Sequence, residues 1–275
     1  MTDKKKAIEP RGGSDAWSGG WGKNAIKREL LQLGFEGVFF ARDNAKSLNN
    51  FLGSVDRFAE IIAAFQGRKR VIDVGSGGGV LIQALSHFGH ECHALDLGEP
   101  DDSLRALYDK ANIHYRVCNI EVDTYPWEDE TFDAVSCCQV MEHISHSPLP
   151  PMREFLRILK PGGICEIDVP NVACFRNRSR LLRGKNITYD YKRHYIDAAP
   201  ILYKEHSFYP MRHNREFTRN ELQMLYEVAG FQNVKASFLK SRRYRTGWRK
   251  LYGPFTAIRD CVPSLRKSLI AYGFK

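Results

Sequence analysis

Two features of the sequence could do chemistry together. The first is a glycine loop, Asp73-Val-Gly75-Ser76-Gly77-Gly-Gly79, which directly follows the apolar run Val71-Ile-Asp-Val74. Glycines let a backbone turn tightly and approach a ligand where a Cβ would intrude. The second is Asp96, which ends the next apolar run, His93-Ala-Leu-Asp96-Leu97, 21 residues beyond Gly75. A carboxylate at that place can accept hydrogen bonds from two ribose hydroxyls. Two nucleoside ligands therefore compete. A dinucleotide site calls for G-x-G-x-x-G/A, and the position of the third small residue holds Val80, which counts against a pyrophosphate. The pattern present is D-x-G-x-G-x-G, with an acid two residues ahead of the first glycine.

Proton chemistry would fall to histidine. His143, His146, His194, His206 and His213 are all candidates for a base that takes a proton from an alcohol. The spacing does not rank them. The seven cysteines lack metal-type spacing, and Cys92, Cys118, Cys137, Cys138 and Cys165 fall in apolar runs where a thiol packs as a small hydrophobe. No metal is expected, and free thiols fit a reducing cytoplasm.

The elements that must position these groups alternate. Strands are predicted near 70–74, 91–96, 113–118, 133–138 and 163–169, with helices near 79–88, 101–110 and 148–159. That alternation predicts an α/β fold with a parallel sheet and helical crossovers. Ahead of it, Phe51, Leu52, Val55, Phe58, Ala59, Ile62 and Phe65 share one helical face. Asp101 and Asp102 suit the cap of the second crossover helix. Thr218-Arg-Asn-Glu221 reads as a capping box opening a helix that stops at Gly230. The expected division is an N-terminal arm over 1–50, a central domain over 51–240 with a lid or insertion at 170–217, and a basic aromatic tail over 241–275.

Charge is segregated along the chain. Residues 1–175 carry 19 Lys/Arg against 25 Asp/Glu, residues 176–219 carry 11 against 4, and residues 235–275 carry 11 against 1. The excess of +9 therefore sits in the C-terminal part, which points to an anionic partner. No apolar run reaches the ~20 residues of a membrane span, and the Lys-rich N-terminus lacks the apolar core of a secretory signal. A cytoplasmic location is expected. Arg242, Arg243, Arg245, Arg249, Lys250, Arg266 and Lys267 interleave with aromatic and aliphatic residues, so contact of the tail with an acidic membrane face is a further expectation.

From Asp73 to about residue 170 the motifs resemble class I S-adenosylmethionine (SAM)-dependent methyltransferases. Asp73, Gly75, Ser76, Gly77 and Gly79 match the family's first motif, in which the acid helps hold the methionine end of SAM. Asp96 and Leu97 then correspond to the ribose-binding position. Asn119 and Ile120, in Cys118-Asn-Ile-Glu121, stand where the family has an acid and an apolar residue at the adenine, with Asn119 expected against the amino group. Tyr125-Pro-Trp127 leading to Phe132-Asp133, and Leu156-Arg-Ile-Leu-Lys160-Pro-Gly-Gly163, match structural segments. Gln139-Val-Met-Glu142-His143 is similar to the "xxLEH" segment, which implies Gln139 at SAM and His143 at the reacting centre. The resemblance implies a Rossmann-like seven-stranded sheet of order 3-2-1-4-5-7-6, its seventh strand antiparallel.

Shorter matches resemble methyltransferases of bacterial glycan and polysaccharide assembly. They are Asp168-Val-Pro170-Asn171, Asn177 to Gly184, and His213-Asn-Arg215-Glu-Phe217-Thr218. They imply Asn171, His213 and Arg215 at an acceptor pocket. The acceptor would be an anionic small molecule or glycan, phosphorylated or lipid-linked, methylated on oxygen. Alternatives are a nucleic-acid methyltransferase, or a SAM-binding module without activity. The former fits the charge, but CCQVMEH stands where a flipped-base tetrapeptide would follow the fourth strand.

Overall fold

The computed structural model describes residues 20–39, 45–188, 190–240 and 259–275. Three helices lead the chain: α1 (Lys23–Phe35), α2 (Ala45–Leu52) and α3 (Val55–Phe65). The βα alternation follows as β1 (Arg70–Val74), α4 (Val80–His87), β2 (Glu91–Asp96), α5 (Asp102–Lys110), β3 (His114–Val117), β4 (Phe132–Cys138), α6 (Leu149–Ile158) and β5 (Leu159–Pro170). The remaining elements are α7 (Phe175–Leu181), a hairpin of β6 (Ile201–Tyr203) and β7 (His206–Phe208), α8 (Arg219–Ala229), β8 (Gln232–Phe238) and β9 (Ser268–Phe274).

Seven strands form one sheet in the order β3-β2-β1-β4-β5-β9-β8, while β6 and β7 pair only with each other. With that hairpin set aside, the order is the expected 3-2-1-4-5-7-6. The inner strands pair in parallel, and β9 runs antiparallel to both β5 and β8. Parallel strands covered on both faces need apolar residues on both, and side chains alternate between faces. In β1, Val71 joins the core under α1 to α4, whereas Ile72 and Val74 join the core under α6 and α8.

Local chemistry sets the helix ends. Asp101 accepts from the Leu104 amide at 2.9 Å, and the Thr218–Glu221 capping box is complete. Gly230 ends α8 in the left-handed region, at φ +104°.

The ends of the chain depart from expectation. Residues 23–35 are not a free arm: Ile26, Leu30 and Leu33 are buried against α3, and Lys27 pairs with the buried Asp56. Trp21 meets Phe88 edge-on at 5.4 Å. Trp17 lies outside the described residues. The tail is likewise not all tail. Leu269, Ile270 and Ala271 are buried in β9, so apolar residues expected at a membrane fill the sheet instead. Arg242 to Lys250 lie outside the described residues. No helix among the described residues is long and apolar enough to cross a membrane.

Candidate active site

The glycine loop lies between β1 and α4, at the carboxyl ends of the parallel strands, where open α/β sheets bind ligands. Gly75 has φ +74°, and a Cβ there would come within 2.3 Å of Val140 Cγ2. Its amide donates to the Leu95 carbonyl at 2.7 Å, which ties the loop to β2. Asp96 is clamped in turn. One carboxylate oxygen accepts from the Gly77 amide and the other from the Leu97 amide, both at 2.7 Å. A carboxylate has about four lone-pair sites, so both oxygens keep one for a ligand hydroxyl.

Two expected loop contacts point elsewhere. Ser76 is 8% exposed, and its hydroxyl lies 3.2 Å from that of Tyr108 on α5. A Cβ on Gly79 would meet Tyr108 Cε1 at 2.6 Å. Both residues seat the loop on α5 rather than face the cavity.

That cavity is lined by Gly75, Asp96, Leu97, Asn119 and Ile120. Val140, His143, Ile144, Phe208 and Pro210 complete the lining. Asn119 is 3% exposed; its Oδ1 accepts from the Glu121 amide at 3.0 Å, while Nδ2 has no partner. Nδ2 is thus an unpaired donor at the cavity, and Oδ1 keeps a second lone pair. Phe208 and Pro210 escaped the sequence reading. They arrive on the β6–β7 hairpin, which is moored where Tyr203 Oη donates to Asp123 Oδ2 at 2.6 Å and Lys204 pairs with the same carboxylate.

The buried carboxyls of Asp73, Glu166 and Asp168 form a polar cluster with the partly buried Gln139 and Arg57. Gln139 holds φ +54°, its amide donates to the Asp168 carbonyl at 2.9 Å, and Nε2 donates to Asp168 Oδ1 at 2.5 Å. Arg57 reaches the same oxygen from α3 at 3.1 Å. One oxygen each of Asp73, Glu166 and Asp168, and Arg57 Nε, are buried without partners. Burial, then the neighbouring Asp96 and Asp168, push the Asp73 pKa up to about 8. Arg57 was invisible to a search for apolar periodicity. It is a charged position beside the helical stripe, and only the tertiary fold delivers it to Asp168.

At the cavity mouth, Glu142-His143 is knitted to 212–215. His143 Nδ1 lies 2.7 Å from the Arg212 carbonyl, and Asn214 Nδ2 donates to the His143 carbonyl at 2.9 Å. The Arg215 amide donates to the Glu142 carbonyl at 3.1 Å. A carbonyl only accepts, so His143 Nδ1 carries a proton and Nε2 of the neutral ring keeps its lone pair. Burial lowers the His143 pKa and outweighs the Arg212 carbonyl, which favours the cation. The His213 ring meets His143 edge-on, with centroids 4.9 Å apart. Its bond to Glu216, 3.3 Å from Nδ1, raises its own pKa. The other histidines stand aside: His146 bonds Glu121 at 2.9 Å and packs on His206, and the His194 carbonyl accepts from Arg212.

Two expected acceptor residues are not at this mouth. Asn171 is 1% exposed; Nδ2 donates to the Ser264 and Arg266 carbonyls, and Oδ1 accepts from the Ala173 amide. It pins the strand end to the segment before β9, with both Nδ2 hydrogens spent on that segment. The Arg215 side chain lines a separate pocket between α6 and α8, with Phe217, Met224 and Val228.

Comparison with known proteins gives a consistent result. The sequence model of the family described as "Methyltransferase domain" matches residues 45–236. Ubiquinone biosynthesis O-methyltransferase of Xanthomonas campestris is 38% identical over 98 residues, covering 34% of this chain and 40% of the relative. Its namesake in Pseudomonas fluorescens is 35% identical over 100 residues, covering 34% and 41%. The match thus spans about two fifths of the length of these curated relatives. Among solved structures, a SAM-dependent methyltransferase and possible histamine N-methyltransferase of Thermotoga maritima aligns with TM-score 0.53 at 15% identity, covering 91% of this chain and 98% of the other. A SAM-dependent methyltransferase of Archaeoglobus fulgidus aligns with TM-score 0.53 at 17% identity, covering 88% and 98%. At these identities the structural likeness speaks for the fold.

Proposed function

Since the chain belongs to the methyltransferase-domain family of class I SAM-dependent methyltransferases, we propose that it methylates an oxygen of a small-molecule or glycan acceptor. The observation that carries the cofactor assignment is the Asp96 carboxylate, fixed by two amides at the cavity wall. Its remaining lone pairs suit the two ribose hydroxyls. Asn119 Nδ2 is the unpaired donor for an adenine ring nitrogen, with Ile120 against the ring face. The orphaned Asp73 oxygen and Arg57 Nε are the complements of an amino acid's ammonium and carboxylate. The residues therefore fit SAM. They suit NAD poorly, because Gly79 is covered by Tyr108 and Leu104 and Val80 follows it.

When bound, SAM supplies an electrophilic methyl group on a cationic sulfonium. The chain's task is alignment of the acceptor and exclusion of water. Phe208, Pro210 and Ile144 supply an apolar cover on the mouth side. His143 brings an imidazole lone pair to the cavity wall and is the group placed to manage the proton of an acceptor hydroxyl. Methylation on oxygen is supported by the named activity of the partial relatives. An anionic glycan acceptor is supported by the excess of Lys/Arg over residues 176–219 and by the glycan-type segments of the sequence.

Calorimetry with SAM, S-adenosylhomocysteine and NAD tests the cofactor. Turnover of methyl-labelled SAM against fractionated lysate, with mass identification of the product, tests the acceptor. Binding of NAD without SAM would sink the cofactor reading, and label transferred to nitrogen or nucleic acid would sink the acceptor reading.

A further inference from the structure

One carboxylate ties the Asn119 loop of the cavity to the β6–β7 hairpin. Asn119, Ile120 and Glu121 line the cavity, and their loop closes on Asp123 in both directions. The Asp123 amide donates to the Asn119 carbonyl, and Asp123 Oδ2 accepts from the Asn119 amide, both at 2.9 Å. The same Oδ2 accepts from Tyr203 Oη at 2.6 Å, and Oδ1 pairs with the Lys204 ammonium. Tyr203 and Lys204 stand at the turn of the hairpin, whose second strand ends at Phe208, two residues before Pro210.

A second tie completes a ring around the cavity. Glu121 Oε2 accepts from the Ser145 amide at 2.9 Å and from the His146 amide at 2.8 Å. The His146 ring meets Phe208 edge-on, with centroids 5.3 Å apart. The hairpin therefore reaches from the loop of Asn119 to the segment that follows His143. Phe208, 2% exposed, is its buried anchor, whereas Ile201 and Leu202 on β6 are 45% and 75% exposed. A segment seated mainly by side-chain ties opens more readily than one seated by a core.

The turn itself favours a latch. Lys204 holds φ +53°, a left-handed position where hairpin turns prefer glycine or asparagine. Lysine there strains the turn and brings an ammonium to Asp123.

We propose that Asp123 is a positioning residue of the cofactor site, and that its contacts with Tyr203 and Lys204 latch the hairpin as a gate over the bound cofactor. Closed, the hairpin presents Phe208 and Pro210 to the cavity, while Asp123 steadies Asn119 and Ile120 from behind. Exchange of S-adenosylhomocysteine for fresh SAM then waits on release of one ion pair and one hydroxyl. Opening steps of this kind limit turnover in many enzymes. The gate rests on the cavity being a SAM site.

The test follows association and dissociation of S-adenosylhomocysteine on the immobilised full chain by surface plasmon resonance. The double variant Tyr203→Phe, Lys204→Gly removes the latch and relieves the turn. Both rate constants should rise by roughly tenfold, the effect of losing one charge-assisted hydrogen bond, while their ratio, Kd, stays nearly constant. Asp123→Asn keeps an acceptor for the Asn119 amide but loses the charge, and should move both rates the same way. Unchanged or slower rates in the double variant overturn the latch, since a purely structural turn gains from glycine at that position. Faster dissociation with unchanged association overturns it as well, because that marks a lost ligand contact instead of a gate. A wild-type chain that melts cooperatively yet binds no S-adenosylhomocysteine overturns the cofactor reading, and the latch with it.

Discussion

The amide of Gly77 donates to Oδ2 of Asp96 at 2.7 Å, so the residue expected to grip the ribose also holds the glycine loop in place. The two roles cannot be separated by deletion. Asp96→Ala should weaken SAM binding by ~1.5–3 kcal/mol, the range for a charge-assisted hydrogen bond, and should also lower the melting temperature. Calorimetry paired with thermal denaturation checks both. Wild-type affinity in a folded Asp96→Ala chain would remove Asp96 from the site.

Gly75→Ala should be worse than Gly77→Ala. Both have positive φ, at +74° and +52°, but only at Gly75 does a Cβ strike a neighbour, Val140 Cγ2 at 2.3 Å. Left-handed backbone alone costs a non-glycine roughly 1–2 kcal/mol, and the collision adds to that at Gly75. Equal unfolding free energies for the two variants would contradict the packing described.

Asp73 makes the stability of the ligand-free protein depend on pH. Its carboxyl titrates at about 8 in the fold instead of 3.8. Between those values the folded chain holds a proton that the unfolded chain has lost, so stability should fall as pH rises from about 4 to 8. Asp73→Asn should flatten that slope. Denaturant unfolding at stepped pH measures it, and a slope unchanged by Asp73→Asn would show that Asp73 is ionised in the fold.

His143→Ala should cut turnover far more than it weakens SAM binding, because the ring sits at the mouth and its lone pair is free. Arg215→Ala should leave both within about twofold, since its side chain lines the pocket between α6 and α8 and surface changes seldom exceed ~0.5 kcal/mol. Steady-state kinetics on any accepted substrate compares them. A large KM effect at Arg215 would mean that the acceptor extends into that second pocket.

A chain ending at Lys240 should not fold. It lacks β9, whose Leu269 and Ala271 are fully buried between β5 and β8. Circular dichroism and solubility report the outcome. A cooperatively melting truncated chain would show that the sheet tolerates the loss.

The inner sheet was legible because buried parallel strands write themselves as short apolar runs between glycine and helix signals. The ranges 70–74 and 91–96 match β1 and β2 to the residue. The capping residues Asp101 and Thr218 were equally legible, because a cap is a local hydrogen bond. What failed was non-local. Ser268–Phe274 follows Arg266-Lys267 in a basic stretch, and nothing nearby in sequence reveals that β5 is its partner. Asn171 was expected at the acceptor from the resemblance of Asp168-Val-Pro170-Asn171 to glycan methyltransferases, yet its Nδ2 partners are the carbonyls of Ser264 and Arg266. Gly75, Asp96, Leu97, Asn119, Ile120 and His143, singled out in the sequence, all line the cavity. Arg57, Phe208 and Pro210, brought by α3 and the hairpin, were not foreseen.

The position of β9 also bears on how the molecule is made. β8 has no direct pairing with β5; it can join the sheet only across β9, which the chain supplies after a further thirty or so residues. Until that strand arrives, the outer edge of β5 is an open row of amides and carbonyls. Such edges recruit other chains during folding, and long-range strand insertion is slow. The step that seats Ser268–Phe274 is therefore the natural place for synthesis to stall into aggregation. A chaperone, or a low temperature during expression, would act on this protein at that step.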